Sequence, residues 1–131
     1  LPGKAYINAA GRIKNLTKPG DRIFVWGNGP YLYYFSERRM GSHTLWPKGT
    51  IDRIAENYQK GTSESLASAH FYEQGLIDIM EKKKPVLFAD TSGNDFAYFD
   101  TPVTPLVSEY VNKNFEYIET IDNIKLYLRK K

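Results

Sequence analysis

Pro19-Gly20-Asp21-Arg22-Ile23-Phe24-Val25-Trp26-Gly27 is the stretch that decides the fold class of this 131-residue chain. Its centre, Ile23 to Trp26, is a short and continuous apolar run, and Gly27-Asn28-Gly29-Pro30 ends it. A run that is apolar at every position is typical of a strand buried on both faces, as in a parallel sheet. The sequence therefore predicts a buried strand here, with a break before it and a loop after it.

Helical patterns surround this strand. Apolar residues at spacings of three and four predict a helix over residues 6–16. We predict a short helix starting at Tyr31, with Ser36 to Arg39 as its polar end, and a second strand at Ser42 to Trp46. The stretch from Pro47 to Ser63 is polar, with one short apolar stripe at Ile51, Ile54 and Tyr58.

The second half repeats the pattern of helix and buried strand. Ser63 or Ser65 is suited to cap a helix that closes on three lysines at residues 82–84, where positive charge favours a helix C-terminus. Pro85 stops that helix. Val86 to Ala89 is a further short apolar run, and the polar loop at residues 90–95 follows it.

The last third predicts a helix and a hairpin. Pro102 and Pro105 precede a helical pattern, and the runs at residues 117–121 and 124–128 flank a tight Asp122-Asn123 turn. The predicted order is helix, strand, helix, strand, helix, strand, helix, strand, strand. Such alternation favours an α/β three-layer sandwich that is Rossmann-like, with a mostly parallel sheet of about 4–5 strands, helices on both faces and an antiparallel C-terminal edge hairpin.

Composition limits the function classes. The length fits a single domain over residues 1–131, with 41% hydrophobic and 25% charged residues. A net charge of +3 without a basic stripe gives no sign of a nucleic-acid partner. The absence of cysteine excludes disulfides, thiol catalysis and cysteine-based zinc sites. No stretch approaches the ~20 apolar residues of a membrane helix. The chain begins with Leu1, and we expect that the natural start has been removed.

The loops after the two apolar runs are the candidate ligand sites, because ligands of open α/β sheets bind beyond the carboxyl ends of the strands. The first loop contains Gly-x-Gly, but Leu32 occupies the position of the third glycine of the dinucleotide fingerprint. Pro30 also removes a backbone donor that a phosphate would use. We interpret this loop as a tight turn between strand and helix.

The second loop, Asp90-Thr91-Ser92-Gly93, is similar to the active-site segment of aspartic proteases, whose chemistry needs two aspartates that share a proton. A retroviral-type dimer could supply the second, but the α/β pattern does not fit that all-β fold. The oxygens at Asp90, Ser92, Asn94 and Asp95 could also bind calcium, although Thr101 stands where an EF-hand loop needs glutamate. A polar loop that follows a strand is the preferred interpretation.

Arg38 and Arg39 follow an aromatic cluster and could hold a phosphate, or stack on a sugar or a lipid headgroup. A solvated helix end is the alternative. The two histidines, His43 and His70, form no recognisable site, and no serine stands in a Gly-x-Ser-x-Gly elbow. We assign no catalytic residue, metal or cofactor. The candidate ligand or acceptor contacts are Trp26, Asn28, Tyr33, Arg38, Arg39, Asp90, Ser92 and Asn94.

Three segments carry a resemblance to a known family. They are the residues 18–27 with Pro30, Tyr33 and Ser36 to Arg39; the residues 83–90, Lys-Lys-Pro-Val-Leu-Phe-Ala-Asp; and the residues 124–129, Ile-Lys-Leu-Tyr-Leu-Arg. Together they resemble the C-terminal soluble region of bacterial membrane glycosyltransferases related to the dolichyl-phosphate-mannose protein mannosyltransferases (glycosyltransferase family 39-like, GT-C architecture). The third segment also suggests that Lys131 lies near the natural C-terminus.

The resemblance implies a parent protein with many membrane helices. Such a parent transfers a sugar from a polyprenyl-phosphate donor to a protein or lipid acceptor outside the cytoplasm. Family catalysis rests on acidic residues near the first membrane helices, so no catalytic residue is carried over to this chain. The resemblance therefore implies a non-catalytic accessory domain on the extracytoplasmic side of the cell membrane, with the membrane-embedded part of the same polypeptide as its partner.

Two other functions remain open. One is a free-standing α/β protein that binds or converts a nucleotide or sugar phosphate at the loops after Trp26 and Asp90. The other is a protein-interaction module, which would expose an aromatic patch around Tyr31, Tyr33 and Tyr34.

Overall fold

The structure is a computed structural model that describes residues 3–27, 29–42, 48–93 and 101–131. Within those residues it is an α/β fold with a five-stranded mixed sheet and five helices. The elements in chain order are α1 (Gly3–Leu16), β1 (Arg22–Trp26), α2 (Gly29–Ser36), β2 (Arg39–Met40), α3 (Lys48–Lys60), α4 (Ser63–Lys83), β3 (Leu87–Asp90), α5 (Pro105–Asn114), β4 (Phe115–Ile121) and β5 (Ile124–Arg129). No helix in this described part of the chain is long and apolar enough to cross a membrane.

The strands lie in the order β2-β1-β3-β5-β4. β1 pairs in parallel with β2 and with β3, whereas β5 pairs antiparallel with β3 and β4. The predicted parallel strands and the antiparallel hairpin at the sheet edge are therefore confirmed. The hairpin turns at Asp122 and Asn123, which both have positive φ values of 49° and 66°. Two-residue turns of that kind match the twist of the flanking strands.

Successive residues of β1 enter two different cores. Ile23 and Val25 join a cluster with buried residues of α1 and α2, whereas Phe24 and Trp26 join a cluster with buried residues of α3, α4 and α5. This division follows from the alternation of side chains along a strand. Each fully buried Ile or Phe side chain contributes about 1.5–3 kcal/mol. The four residues Ile23 to Trp26 can all be apolar because both sides of the strand face the apolar sides of helices.

The second strand differs from its prediction. It is β2, Arg39–Met40, which lies before the predicted Ser42 to Trp46; residues 43–47 of that prediction lie outside the described residues. The predicted polar helix end at residues 36–39 is also wrong, because α2 ends at Ser36 and Glu37 adopts a left-handed φ of 58°. Gly41 then donates its N–H to the Ile23 carbonyl, and a Cβ on Gly41 would come within 2.6 Å of the Pro85 ring.

One helix is missing from the predicted order. The polar stretch around the apolar stripe forms α3, and its Ile51 and Ile54 are fully buried in the cluster shared with α4. The cap of α4 also differs from the prediction, because Thr62 is the N-cap and its hydroxyl accepts the N–H of Ser65 at 3.1 Å. Thr62 takes this place because its backbone is still extended when the helix begins.

Candidate functional site

A cleft of about 430 Å³ opens at the carboxyl end of β3, on the side of the sheet that α5 covers. The chain leaves β1 through α2, which packs on one face, and reaches β3 through α3 and α4, which pack on the other. β1 and β3 therefore flank the kind of switch point where open α/β sheets bind ligands, and the cleft lies beside it, between β3, β5 and α5. The cleft is lined by Phe88, Asp90, Ser92, Gly93, Pro102, Val103, Ser108, Val111, Asn112, Lys125 and Tyr127.

Asp90 and Lys125 give the cleft one charge of each sign. Asp90 is the last residue of β3 and is 7% exposed, and its Oδ1 accepts the N–H of Ser92 at 2.9 Å. Lys125 is directly opposite Asp90 in the antiparallel ladder with β5, and it is exposed. The Cβ atoms of directly opposed residues lie about 5 Å apart, so both charges meet at the same end of the cleft.

Tyr127 supplies a ring and a neutral hydroxyl. It lies opposite Phe88 in the ladder, with ring centroids 6.1 Å apart in an edge-to-face arrangement. Burial raises the pKa of Tyr127 above its ordinary value, and the negative charge of Asp90 raises it further. The hydroxyl therefore stays protonated at neutral pH and can both donate and accept hydrogen bonds.

The wall formed by α5 depends on a buried carboxylate in α4. Glu73 is fully buried, and its Oε2 accepts the backbone N–H groups of Leu106 at 2.8 Å and Val107 at 3.1 Å. The Tyr58 hydroxyl donates to the other carboxylate oxygen. Thr104, the N-cap of α5, makes no side-chain cap bond, so Glu73 satisfies the free N–H groups at that helix end. Negative charge is favourable there because of the helix dipole.

Five of the eight predicted contact residues lie at the ends of β1 and β3 or in the loops after them, and the structure describes three of the five. Asp90 and Ser92 line the cleft. Trp26 pairs with Asp90 across the parallel ladder, but it is fully buried, and its indole N–H donates to the Thr101 carbonyl at 2.9 Å. Trp26 thus anchors the chain near the cleft and offers no surface to a ligand. The other two of the five, Asn28 and Asn94, lie outside the described residues.

Tyr33 does not form part of an exposed patch, so that prediction is wrong for this residue. It is 6% exposed, and its hydroxyl accepts the N–H of Val25 at 3.2 Å. Burial raises its pKa. Tyr33 faces the core because it belongs to the helical stripe Gly29, Leu32, Tyr33 and Ser36, whereas Tyr31 and Tyr34 lie off that stripe and are 41% and 77% exposed.

Arg38 and Arg39 have separate surroundings. The Arg38 guanidinium donates to the Thr17 hydroxyl at 2.8 Å and to the carbonyls of Lys14 and Thr17 at 3.3 Å. It therefore binds the C-terminal end of α1, where a positive charge is favourable. Arg39 is exposed on β2, at the sheet edge opposite the β4 edge. The structure brings neither arginine to the cleft, because β1 and β3 separate β2 from β5.

The sequence interpretation missed several cleft residues. The sequence did indicate that Lys125 and Tyr127 lie on the same face of the sheet, since residues two apart in a strand share a face. The sequence does not give the register that places them opposite Asp90 and Phe88. Ser108 and Asn112 lie one turn apart on α5, and their polar character matched an ordinary solvated helix face.

The described residues contain no group of three or more acidic or histidine side chains that could hold a metal ion. Of the two histidines, His43 lies outside the described part of the chain, and His70 is exposed on α4 near the Tyr58 ring. Comparison with protein-family models, with curated proteins and with solved structures gave no match. The cleft is therefore interpreted from its own geometry.

Proposed function

We propose that this chain is a non-catalytic, extracytoplasmic accessory domain of a bacterial membrane glycosyltransferase of the dolichyl-phosphate-mannose protein mannosyltransferase type. Its cleft would hold a hydroxyl-rich part of the acceptor or of the polyprenyl-phosphate-linked donor. One observation carries the proposal: two of the segments that resemble this family end side by side, with Trp26 of the first paired to Asp90 of the second. The overall arrangement proposed with it is a Rossmann-like three-layer sandwich.

The chemistry of the cleft favours a neutral, hydroxyl-rich ligand. A sugar hydroxyl donates one hydrogen bond and accepts others, and Asp90 and Lys125 supply an acceptor and donors at one end of the cleft. Their opposite charges give no surplus for a doubly charged phosphate. Tyr127 adds a neutral hydroxyl with part of a ring, while Ser108 and Asn112 add polar groups from α5.

An accessory role fits this set of groups. Among its described residues the cleft has no paired nucleophile and base, and the Asp90 carboxylate, which accepts a backbone N–H, is suited to binding. In the proposal, the sugar-transfer step takes place in the membrane-embedded part of the polypeptide. The domain would contribute by positioning the substrate, which raises the effective concentration of the reacting groups.

The test uses the full-length polypeptide in its native membrane. We expect Asp90→Asn and Lys125→Met to raise the KM for the acceptor or the donor by roughly tenfold while kcat changes little, because a hydrogen bond to a charged group contributes about 1.5–3 kcal/mol. Asp78→Asn and Lys113→Met are matched controls, since both residues are exposed on helices outside the cleft. Unchanged KM values in both cleft variants would refute the binding role, and a full-length polypeptide without membrane helices would refute the membrane parent.

The position of the cleft also favours a second candidate, a free-standing small-molecule binder. A thermal-shift screen of the chain against nucleotides and sugar phosphates separates the two. A large nucleotide shift that disappears in Asp90→Ala would support the second candidate and contradict the accessory role.

A further inference from the structure

α2 is apolar on the side that faces away from the core. Its inner side buries Leu32, Tyr33 and Ser36, yet its outer side carries Tyr31 and Tyr34 and no charged residue. A surface helix of a globular protein normally places charged and polar residues outward. The composition of α2 therefore indicates that something other than water covers its outer side.

The rings of α2 contact one another, and Tyr31 also contacts the buried Tyr6 of α1. Ring centroids lie 5.3 Å apart between Tyr34 and Phe35, and 6.5 Å apart between Phe35 and Tyr31. Tyr31 in turn contacts Tyr6 of α1 at 5.4 Å, and the next residue of α1, Ile7, is 52% exposed. We call Ile7, Tyr31, Tyr34 and Phe35 the aromatic surface.

Positive charge is concentrated in the same part of the chain. Residues 1–42 contain seven Lys and Arg against two Asp and Glu, whereas residues 43–131 contain eleven against thirteen. Lys4 is exposed one helical turn before Ile7, and Arg39 is exposed just after α2. Two of these basic residues have acidic partners, Lys14 with Glu37 at 3.4 Å and Arg12 with Glu119 of β4, so the surplus is carried by the other five.

We propose that the aromatic surface rests in the headgroup region of an anionic lipid bilayer. Tyrosine suits that depth because its ring is apolar and its hydroxyl is polar, and flanking Lys and Arg are attracted to anionic lipids. A second copy of the chain is a poorer occupant because the basic regions would repel each other. This proposal goes beyond the function proposed above, because it assigns one face of the domain to the membrane surface.

The proposal also fits the position of the cleft. The aromatic surface belongs to α1 and α2, whereas the cleft lies between the sheet and α5, on its other face. A domain that rests on α1 and α2 therefore directs the cleft away from the lipid, where it is open to an acceptor in solution.

The test is sedimentation of the chain with vesicles of phosphatidylcholine alone and with added phosphatidylglycerol. We expect binding to the anionic vesicles only, weakened by salt because screening reduces the attraction. The double change Tyr31→Ser and Tyr34→Ser should lower the partition by roughly tenfold, and Lys4→Glu with Arg39→Glu should lower it similarly. Phe71→Ser is the matched control, because Phe71 is 75% exposed on α4 and lies outside the aromatic surface.

Circular dichroism melts establish that each variant is folded before its partition is measured. Equal binding to both kinds of vesicle, or an equal loss in Phe71→Ser, would overturn the proposal. So would a concentration-dependent dimer that Tyr34→Ser dissociates, since that result would assign the surface to a second copy. An absence of binding to anionic vesicles at low salt would overturn it as well.

Discussion

Glu73 offers the sharpest test of what holds the cleft wall in place. Its carboxylate is fully buried and accepts three hydrogen bonds, two from the first turn of α5 and one from Tyr58 of α3. Glu73→Gln keeps the shape and removes the charge. The amide oxygen can still accept from the α5 backbone, while the amide nitrogen donates to the Tyr58 hydroxyl, which then acts as the acceptor.

The magnitude follows from the two helix N–H bonds. A hydrogen bond to a charged group contributes about 1 kcal/mol more than a neutral one, so we expect Glu73→Gln to lower the free energy of unfolding by about 2 kcal/mol. Glu73→Ala should cost about 4 kcal/mol, because it leaves buried donors without a partner and opens a cavity. At this chain length, the Gln variant should lose about 8 °C in Tm.

Urea denaturation followed by circular dichroism measures both variants. Glu109→Gln is the control, since Glu109 is exposed on α5, and it should change stability by less than about 0.5 kcal/mol. If Glu73→Gln is as stable as the parent chain, the cost of burying the charge cancels its bonds to α5. The stabilising effect of the charge on that helix would then be refuted, and a Glu73→Ala chain as stable as the parent chain would refute the capping role itself.

Three further predictions concern other parts of the fold. Arg38→Lys should destabilise the chain by about 1 kcal/mol in urea melts, because lysine cannot reproduce the several hydrogen bonds that Arg38 makes to the end of α1. Arg39→Lys is the control and should leave the stability unchanged. Equal effects of the two changes would contradict the capping role of Arg38. Gly41→Ala should lower the free energy of unfolding by about 2 kcal/mol, because its Cβ would clash with Pro85. Gly11→Ala is the contrast, since a Cβ there has nothing within 4 Å, and it should stabilise α1 by about 0.5–1 kcal/mol. A Gly41→Ala chain as stable as the parent chain would refute the close approach. Burial, together with the nearby Glu73 carboxylate, raises the pKa of Tyr58, so the folded chain holds the Tyr58 proton at a pH where the unfolded chain has lost it. The free energy of unfolding should therefore fall as the pH rises above about 10. Urea melts from pH 8 to 11 should show a shallower fall in Tyr58→Phe, and an unchanged slope would contradict the shift.

The sequence predicted correctly those strands that are marked by the residues within and next to them. β1 and β3 are continuous apolar runs between breakers, so their burial could be inferred without knowing their partners. Asp90 was found because it directly follows such a run. β2 was misplaced because its two residues, Arg39 and Met40, have no apolar period and depend on pairing with β1.

The remaining features depend on contacts between distant residues. Lys125 reaches the cleft only through the register of β5 against β3, and register is set by the whole hairpin. The sequence shows Arg38 as one of two adjacent basic residues, and only the packing of α2 against α1 brings it to a helix end. Glu73 lies in a helical stripe of α4 where an acidic residue suggests solvent, although its hydrogen-bond partners lie on two other elements, α3 and α5.

The strand order has a consequence for how this domain is made in the cell. β5 is the last strand along the sequence, yet it lies inside the sheet, bonded to β3 on one side and to β4 on the other. While the ribosome is still adding the residues after Ile121, the nascent chain has no strand that can join β4 to the parallel part of the sheet. β3 then has an open edge, and open edges pair readily with other chains. Folding of this domain should therefore be completed only after Arg129 has emerged, and a nascent chain stalled just before Ile124 should be the form most prone to aggregation.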